Sequence, residues 1–198
     1  MRPFITHVGR GLPLERADVD TDQIVPAEHL KRIERTGFGP FLFAEWRKDP
    51  AFVLNDPRYG GASILLAGAN FGGGSSREHA VWALEDAGFR VVIAPSFADI
   101  FRNNCAKIGV LTVGLPAGMV RALMDAVEAA PELEITVDLQ ELRVRAPGVT
   151  DEPFGFDPYT RRRLLEGLDD IGLTLRHLDR IEAYERARPS RLPALPSA

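Results

Sequence analysis

Cysteine is almost absent: Cys105 is the single one in 198 residues. One thiol cannot form an internal disulfide, and it cannot hold an iron–sulfur cluster by itself, because a cluster needs several thiolates. Long apolar runs are missing as well. No stretch approaches the roughly 18 uninterrupted apolar residues that read as a membrane-spanning helix. Met1 to Gly11 has no apolar core behind a positive start, so no secretory signal is expected there. No block of one charge sign occurs either. Twenty-four Lys and Arg oppose 28 Asp and Glu, a net charge of −4, which argues against a nucleic-acid or membrane-surface partner. These absences predict a cytoplasmic protein.

What is present suits a core-forming globular chain, with 45% hydrophobic and 26% charged residues. At this length folding buries about 70% of the surface that the unfolded chain exposes, so no disulfide or metal staple is required. From Ser63 onward, apolar runs alternate with helical spacing, the pattern of an α/β domain around a largely parallel sheet. Ser63 to Ala67 and Arg90 to Ala94 read as buried strands. Between them Ala80, Ala83, Leu84 and Ala87 recur at helical spacing, with Gly88 as a C-terminal stop. Ser96 to Asn104 and Met119 to Ala130 are expected helices, and Val110 to Val113 an expected strand. Glu134 to Val137 and Glu141 to Arg145 alternate like an antiparallel hairpin. Pro158 to Arg186 reads as helical, with Leu164, Leu165, Leu168, Ile171 and Leu175 on one apolar face. At the other end, Phe4 to Val8 reads as a strand, and Phe38 to Trp46 as a packed loop with a short helix. One domain over 1–187 and a proline-rich, frayed tail over 188–198 are expected.

The segment Asn70-Phe-Gly-Gly-Gly-Ser-Ser-Arg-Glu-His-Ala80 places three glycines and two serines between a strand and a helix. Such a junction favours anions, since glycine admits close backbone approach and the first helical N–H groups lack intrahelical acceptors. Arg77 adds a planar fork that matches a carboxylate, and a cation there opposes the helix dipole unless an anion is near. Neither a dinucleotide fingerprint nor a P-loop is completed, so small organic acids rise relative to nucleotides. The competing reading is structural: Ser75 and Glu78 have the spacing of a capping box. His79 reads as a packing residue, with a catalytic base as its alternative.

Asp18, Asp20 and Asp22 alternate as oxygen ligands might, yet the glycine and later glutamate of a calcium loop are missing, so a turn capped by its own side chains is the simpler reading and no metal is expected. Cys105 lacks any Cys/His/Asn signature and reads as a small, half-buried residue. Arg32 and Arg35 lie on a predicted loop, as solvated charge or as substrate selectors.

Asp20-Thr-Asp-Gln-Ile-Val-Pro26, Arg35-Thr-Gly-Phe38, the Gly-Ser-Ser-Arg-Glu-His-Ala string over 74–80, Ala94-Pro-Ser-Phe-Ala-Asp-Ile-Phe101 and Gly172-Leu-Thr-Leu175 together resemble the small-subunit family of 3-isopropylmalate dehydratases, in the aconitase superfamily. The resemblance runs from Phe4 to Tyr184. It implies an α/β fold of the swivelling β/β/α type, with a mostly parallel central sheet, an added hairpin and C-terminal helices. It implies a hydro-lyase of leucine biosynthesis that interconverts 2-isopropylmalate and 3-isopropylmalate through 2-isopropylmaleate. It further implies a heterodimer or higher assembly, with no cofactor in this chain and a 4Fe-4S cluster on the partner large subunit.

Carried over by motif, Ser75 is the general base, and Ser76, Arg77, Arg35 and Arg32 meet the substrate. Asp22, Thr21, Gly74 and Glu78 support them. The chain departs from the family at Gly73, where cysteine is frequent, and at Ile108, where asparagine is common. The competing readings are a related dehydratase for a methylmalate or homoaconitate type of acid, a non-catalytic organic-acid-binding module, and a swivel domain without chemistry of its own.

Overall fold

The computed structural model describes residues 1–31 and 34–188. Its centre is a seven-stranded sheet in the order β4-β3-β2-β1-β5-β6-β7. β2 (Ile64–Ala67), β3 (Val91–Ala94) and β4 (Leu111–Gly114) follow β1 (Thr6–Leu14) in parallel. Every residue of β2 and β3 is buried, which is why these strands read as unbroken apolar runs rather than as alternating ones.

β1 serves two neighbours. Its second half pairs in parallel with β2 from Gly11↔Ile64 to Leu14↔Ala67. Its first half pairs antiparallel with β5 (Glu134–Asp138), from Thr6↔Asp138 to Arg10↔Glu134. Its burial changes along its length accordingly, exposed at the start and buried over the last four residues. The predicted strand at Phe4 to Val8 is thus displaced and lengthened, because Gly9, Gly11 and Pro13 hide the second half from any apolar pattern. The hairpin of β5 and β6 (Arg143–Ala146) forms as predicted. A third strand, β7 (Thr150–Pro153), extends it; its sequence Thr-Asp-Glu-Pro carries no strand signal, as suits an edge.

Helices cover both faces. α2 (Glu78–Asp86) and α3 (Asp99–Ile108) follow β2 and β3 and pack on each other, while α4 (Ala117–Ala129) lies across β1, β2 and β3. Consecutive strand residues point to opposite faces, so β1 identifies the two sides. A Cβ on Gly11 would lie 2.9 Å from Val127 of α4, whereas Leu12 lines a cavity with Gly39 and with Asp86 of α2. The predicted helix from Ser96 instead begins at Asp99, because Ser96 and Phe97 continue the sheet: Phe71 and Phe97 form an isolated parallel bridge.

The C-terminal third is α5 (Pro158–Glu166), α6 (Asp170–Leu175) and α7 (Leu178–Arg186). Its predicted apolar face divides: Leu164 is fully buried, whereas Ile171 and Leu175 are 71% and 56% exposed. The predicted tail lies, apart from Arg188, outside the described residues. Among the described residues, no helix is long and apolar enough to cross a membrane.

Candidate active site

The candidate site grows from the carboxyl ends of β1, β2 and β3, where ligands of parallel sheets commonly bind. Beyond Leu14 and Ala67 the chains leaving β1 and β2 stay zipped together. Gly68 N–H donates to the Arg16 carbonyl at 2.9 Å, Asp18 N–H to Ala69 at 2.8 Å, Gly72 N–H to Val19 at 2.7 Å, and Thr21 N–H to Gly73 at 2.9 Å. From the other side, Phe71 N–H donates to Ser96 at 3.1 Å and Ala98 N–H to Phe71 at 3.0 Å. The glycine segment is therefore clamped between the loops that follow β1 and β3.

Gly72 sits at φ +81°, with Phe101 of α3 directly against its α-carbon. Gly74, at φ +84°, faces Asp20 and Thr21. Past these anchors the backbone emerges, and Ser75 and Ser76 are exposed. No side-chain partner engages either hydroxyl among the described residues.

The capping box predicted for Ser75 and Glu78 does not form. α2 starts at Glu78 and its N-cap is Arg77, in extended conformation and without a side-chain cap. The serines thus precede the helix instead of capping it. The box forms elsewhere: Asp20 caps α1 (Thr21–Ile24) by accepting from Gln23 N–H at 2.8 Å, while Gln23 accepts from Asp20 N–H at 3.0 Å. The short helix so fixed delivers two side chains to the serine loop. Thr21, buried, donates its hydroxyl to the Ser75 carbonyl at 3.1 Å, and Asp22 ion-pairs with the Arg77 guanidinium. The Arg77 side chain is 22% exposed and that of Asp22 55%, so the pair is half-buried beside the serines.

The alternating aspartates therefore diverge. Asp18 accepts from the Asn70 amide at 2.9 Å, Asp20 caps α1, and Asp22 holds Arg77. Among the described residues no group of three His, Cys, Asp or Glu is placed to hold a metal ion. Cys105 is fully rather than half buried, and burial pushes its thiol well up, away from reactivity. His79 packs: its ring lies 5.3 Å from Phe38 and 4.6 Å from Trp82, and burial lowers its pKa.

Of the predicted site residues, Thr21, Asp22, Gly74, Ser75, Ser76, Arg77 and Glu78 come together around the start of α2. Arg35 does not join them directly; its guanidinium stands 5.8 Å over the Trp82 ring. Arg32 lies outside the described residues. The Arg77–Asp22 pairing and the Phe38–His79–Trp82 cluster escaped sequence reasoning. Motif proximity could have suggested the former, but the latter joins residues over forty positions apart.

An arginine beside two exposed serines, just ahead of a helix N-terminus, can take up the carboxylate of an organic acid.

Residues 1–118 match the family model of the aconitase C-terminal domain, and residues 170–198 match the model of the C-terminal domain of the 3-isopropylmalate dehydratase small subunit. Proteins named 3-isopropylmalate dehydratase small subunit from Rubrobacter xylanophilus and from a Parafrankia species are each 62% identical over 193 residues, covering 98% of either chain. A crystal structure of 3-isopropylmalate dehydratase from Methanocaldococcus jannaschii shares the fold. Its TM-score is 0.68 at 24% identity, covering 90% of this chain and 99% of that one.

Proposed function

This chain belongs to the small-subunit family of 3-isopropylmalate dehydratases within the aconitase superfamily, and on that premise we propose that it is the catalytic half of a hydro-lyase interconverting 2-isopropylmalate and 3-isopropylmalate in leucine biosynthesis. The observation that carries the reading is the exposed Ser75 hydroxyl beside the Arg77–Asp22 pair, presented on a clamped loop.

In this reading a substrate carboxylate docks on Arg77, with Ser76 as a further donor. Asp22 keeps the guanidinium aimed outward until that anion arrives. Ser75, as its alkoxide, takes the proton from the carbon beside the carboxylate while the hydroxyl on the neighbouring carbon leaves as hydroxide, giving 2-isopropylmaleate and a neutral serine; addition of hydroxide at the other carbon, with the proton returned from Ser75, gives the isomer. A serine is a poor base in water because its alkoxide is strongly disfavoured. The positive start of α2 and the Arg77 charge lower that cost, and Thr21 and Gly74 fix the loop so that the alkoxide forms where those charges point.

The 4Fe-4S cluster of the assembled enzyme does not fit this chain's side chains: its one cysteine is buried in α3 with a raised pKa. The cluster, with the Lewis acidity it supplies, is assigned to a large-subunit partner that completes the wall opposite Ser75. Substitution in the two-subunit enzyme tests the roles. Ser75→Ala lowers kcat by about 10²–10⁴-fold while the melting curve of the chain stays in place; near-normal turnover would return Ser75 to a structural part. Arg77→Lys raises KM about tenfold with a smaller effect on kcat, since a point charge cannot reproduce the planar fork. Unchanged kinetics would remove Arg77 from substrate binding.

A further inference from the structure

α2 carries more than the start of the candidate site. Its outward side bears His79 and Trp82, and Phe38 seats edge-on against both, with ring centroids 5.3 and 5.7 Å apart. Phe38 is also pinned through its backbone, its N–H donating to Asp86 at the far end of α2 at 2.7 Å. Gly39 lies so close to the α2 backbone that a Cβ there would stand 3.1 Å from Asp86. The other end of the same segment is stacked as well, His29 on Phe41 at 4.1 Å and 15°. Phe38 and Gly39 are thus fixed on α2, and Arg35, exposed three residues before Phe38, sets its guanidinium 5.8 Å over the Trp82 indole.

Trp82 lies five residues beyond Arg77, which at the helical rise is about 7 Å along the axis. Arg35 is thereby held on the helix that follows the serine loop, less than two turns from its start. We infer that Trp82 is a positioning residue for substrate recognition: its ring holds Arg35 on the helix that opens at the Ser75–Arg77 loop, so that Arg35 meets the substrate already oriented. The inference rests on the proposed function for what the substrate is, but the contact stands on its own geometry. The attraction between a cation and an indole face strengthens when water is excluded. Its effect is accordingly largest once a partner covers this surface.

Two measurements separate the inference from the reading beneath it. In the isolated chain, Arg35→Ala uncovers the indole, so acrylamide quenching of tryptophan fluorescence increases. Trp46 is common to both proteins and sits under Arg16 instead. The difference vanishes when Trp82→Phe is the background. Identical quenching with and without Arg35 would overturn the contact, whatever the enzyme does.

In the two-subunit enzyme, Trp82→Phe raises KM for isopropylmalate about two- to fivefold with kcat changed less, the range that such a contact supports. Combined with Arg35→Ala it adds nothing further. An equal KM increase in the Arg35→Ala background would show a merely structural role and overturn the inference. Absence of turnover by the unsubstituted enzyme would instead strike the proposed function, leaving the quenching result to decide the contact. Where Trp82→Phe does not melt like the parent chain, Trp82→Tyr replaces it in the same cycle.

Discussion

Gly72 and Gly73 are neighbours with opposite tolerances. A Cβ at Gly72 would stand 2.2 Å from the Phe101 ring, and the backbone there is at φ +81°. At Gly73 nothing lies within 4 Å. Gly72→Ala should cost about 2–4 kcal/mol, from left-handed strain plus overpacking, and Gly73→Cys less than about 0.5 kcal/mol; urea midpoints of the two variants check this. Equal midpoints would mean that Phe101 does not fix the loop. The cysteine frequent in the family at position 73 therefore fits here without disturbing Ser75. In the sequence the three glycines look alike, because the side chain that separates them, Phe101, lies 29 positions downstream of Gly72.

Two histidines set a pH response at the same scale. His7 is lowered from its ordinary pKa by burial and by Arg90, and His79 by burial, with Arg77 lowering it further against an upward pull from Glu78. A histidine whose folded pKa lies below its unfolded value binds protons more readily when unfolded. Its contribution is complete above about pH 6.5 and is lost as pH falls through that value toward the folded pKa. The urea midpoint should therefore decline from about pH 7.5 to pH 5.5, and His79→Gln should flatten part of that decline. A midpoint that holds constant over this window would contradict both shifts.

Among the elements, α1 does more than its four residues suggest. Its capping box fixes Thr21 and Asp22, and through them the Ser75 carbonyl and the Arg77 guanidinium. Thr21→Val removes one hydrogen bond at nearly constant shape, which should lower stability by about 1 kcal/mol and kcat about tenfold, with KM little changed. A loss confined to stability would make Thr21 structural only.

The elements were legible to different degrees. β2, β3 and the hairpin were plain because burial on both faces, or alternation, writes itself into residue type. The Ser75–Glu78 spacing misled because a capping motif is local, whereas the start of α2 is set by the clamp on the glycine segment from two neighbouring loops. The long β1 and the late start of α3 escaped for the same reason. Backbone hydrogen bonds to distant segments, not side-chain pattern, define them.

In the whole molecule, the parallel strands end at a serine loop that is rigid underneath and open above. The residues gathered around the start of α2 were readable as candidates from motif because they occupy two short runs of sequence. Arg35's place on Trp82 could not be read, since it depends on how a loop folds back onto α2. A clamped loop, two exposed serines and a half-buried arginine paired with Asp22 are what the fold places at that end.

The most direct test is to assay this chain and a cluster-bearing large subunit separately and then mixed, following isopropylmalate dehydration. The account predicts no turnover by this chain alone, and turnover on mixing that saturates as the large subunit is filled and disappears when Ser75→Ala chain is supplied instead. Turnover by the lone chain, or undiminished turnover with Ser75→Ala, would contradict it.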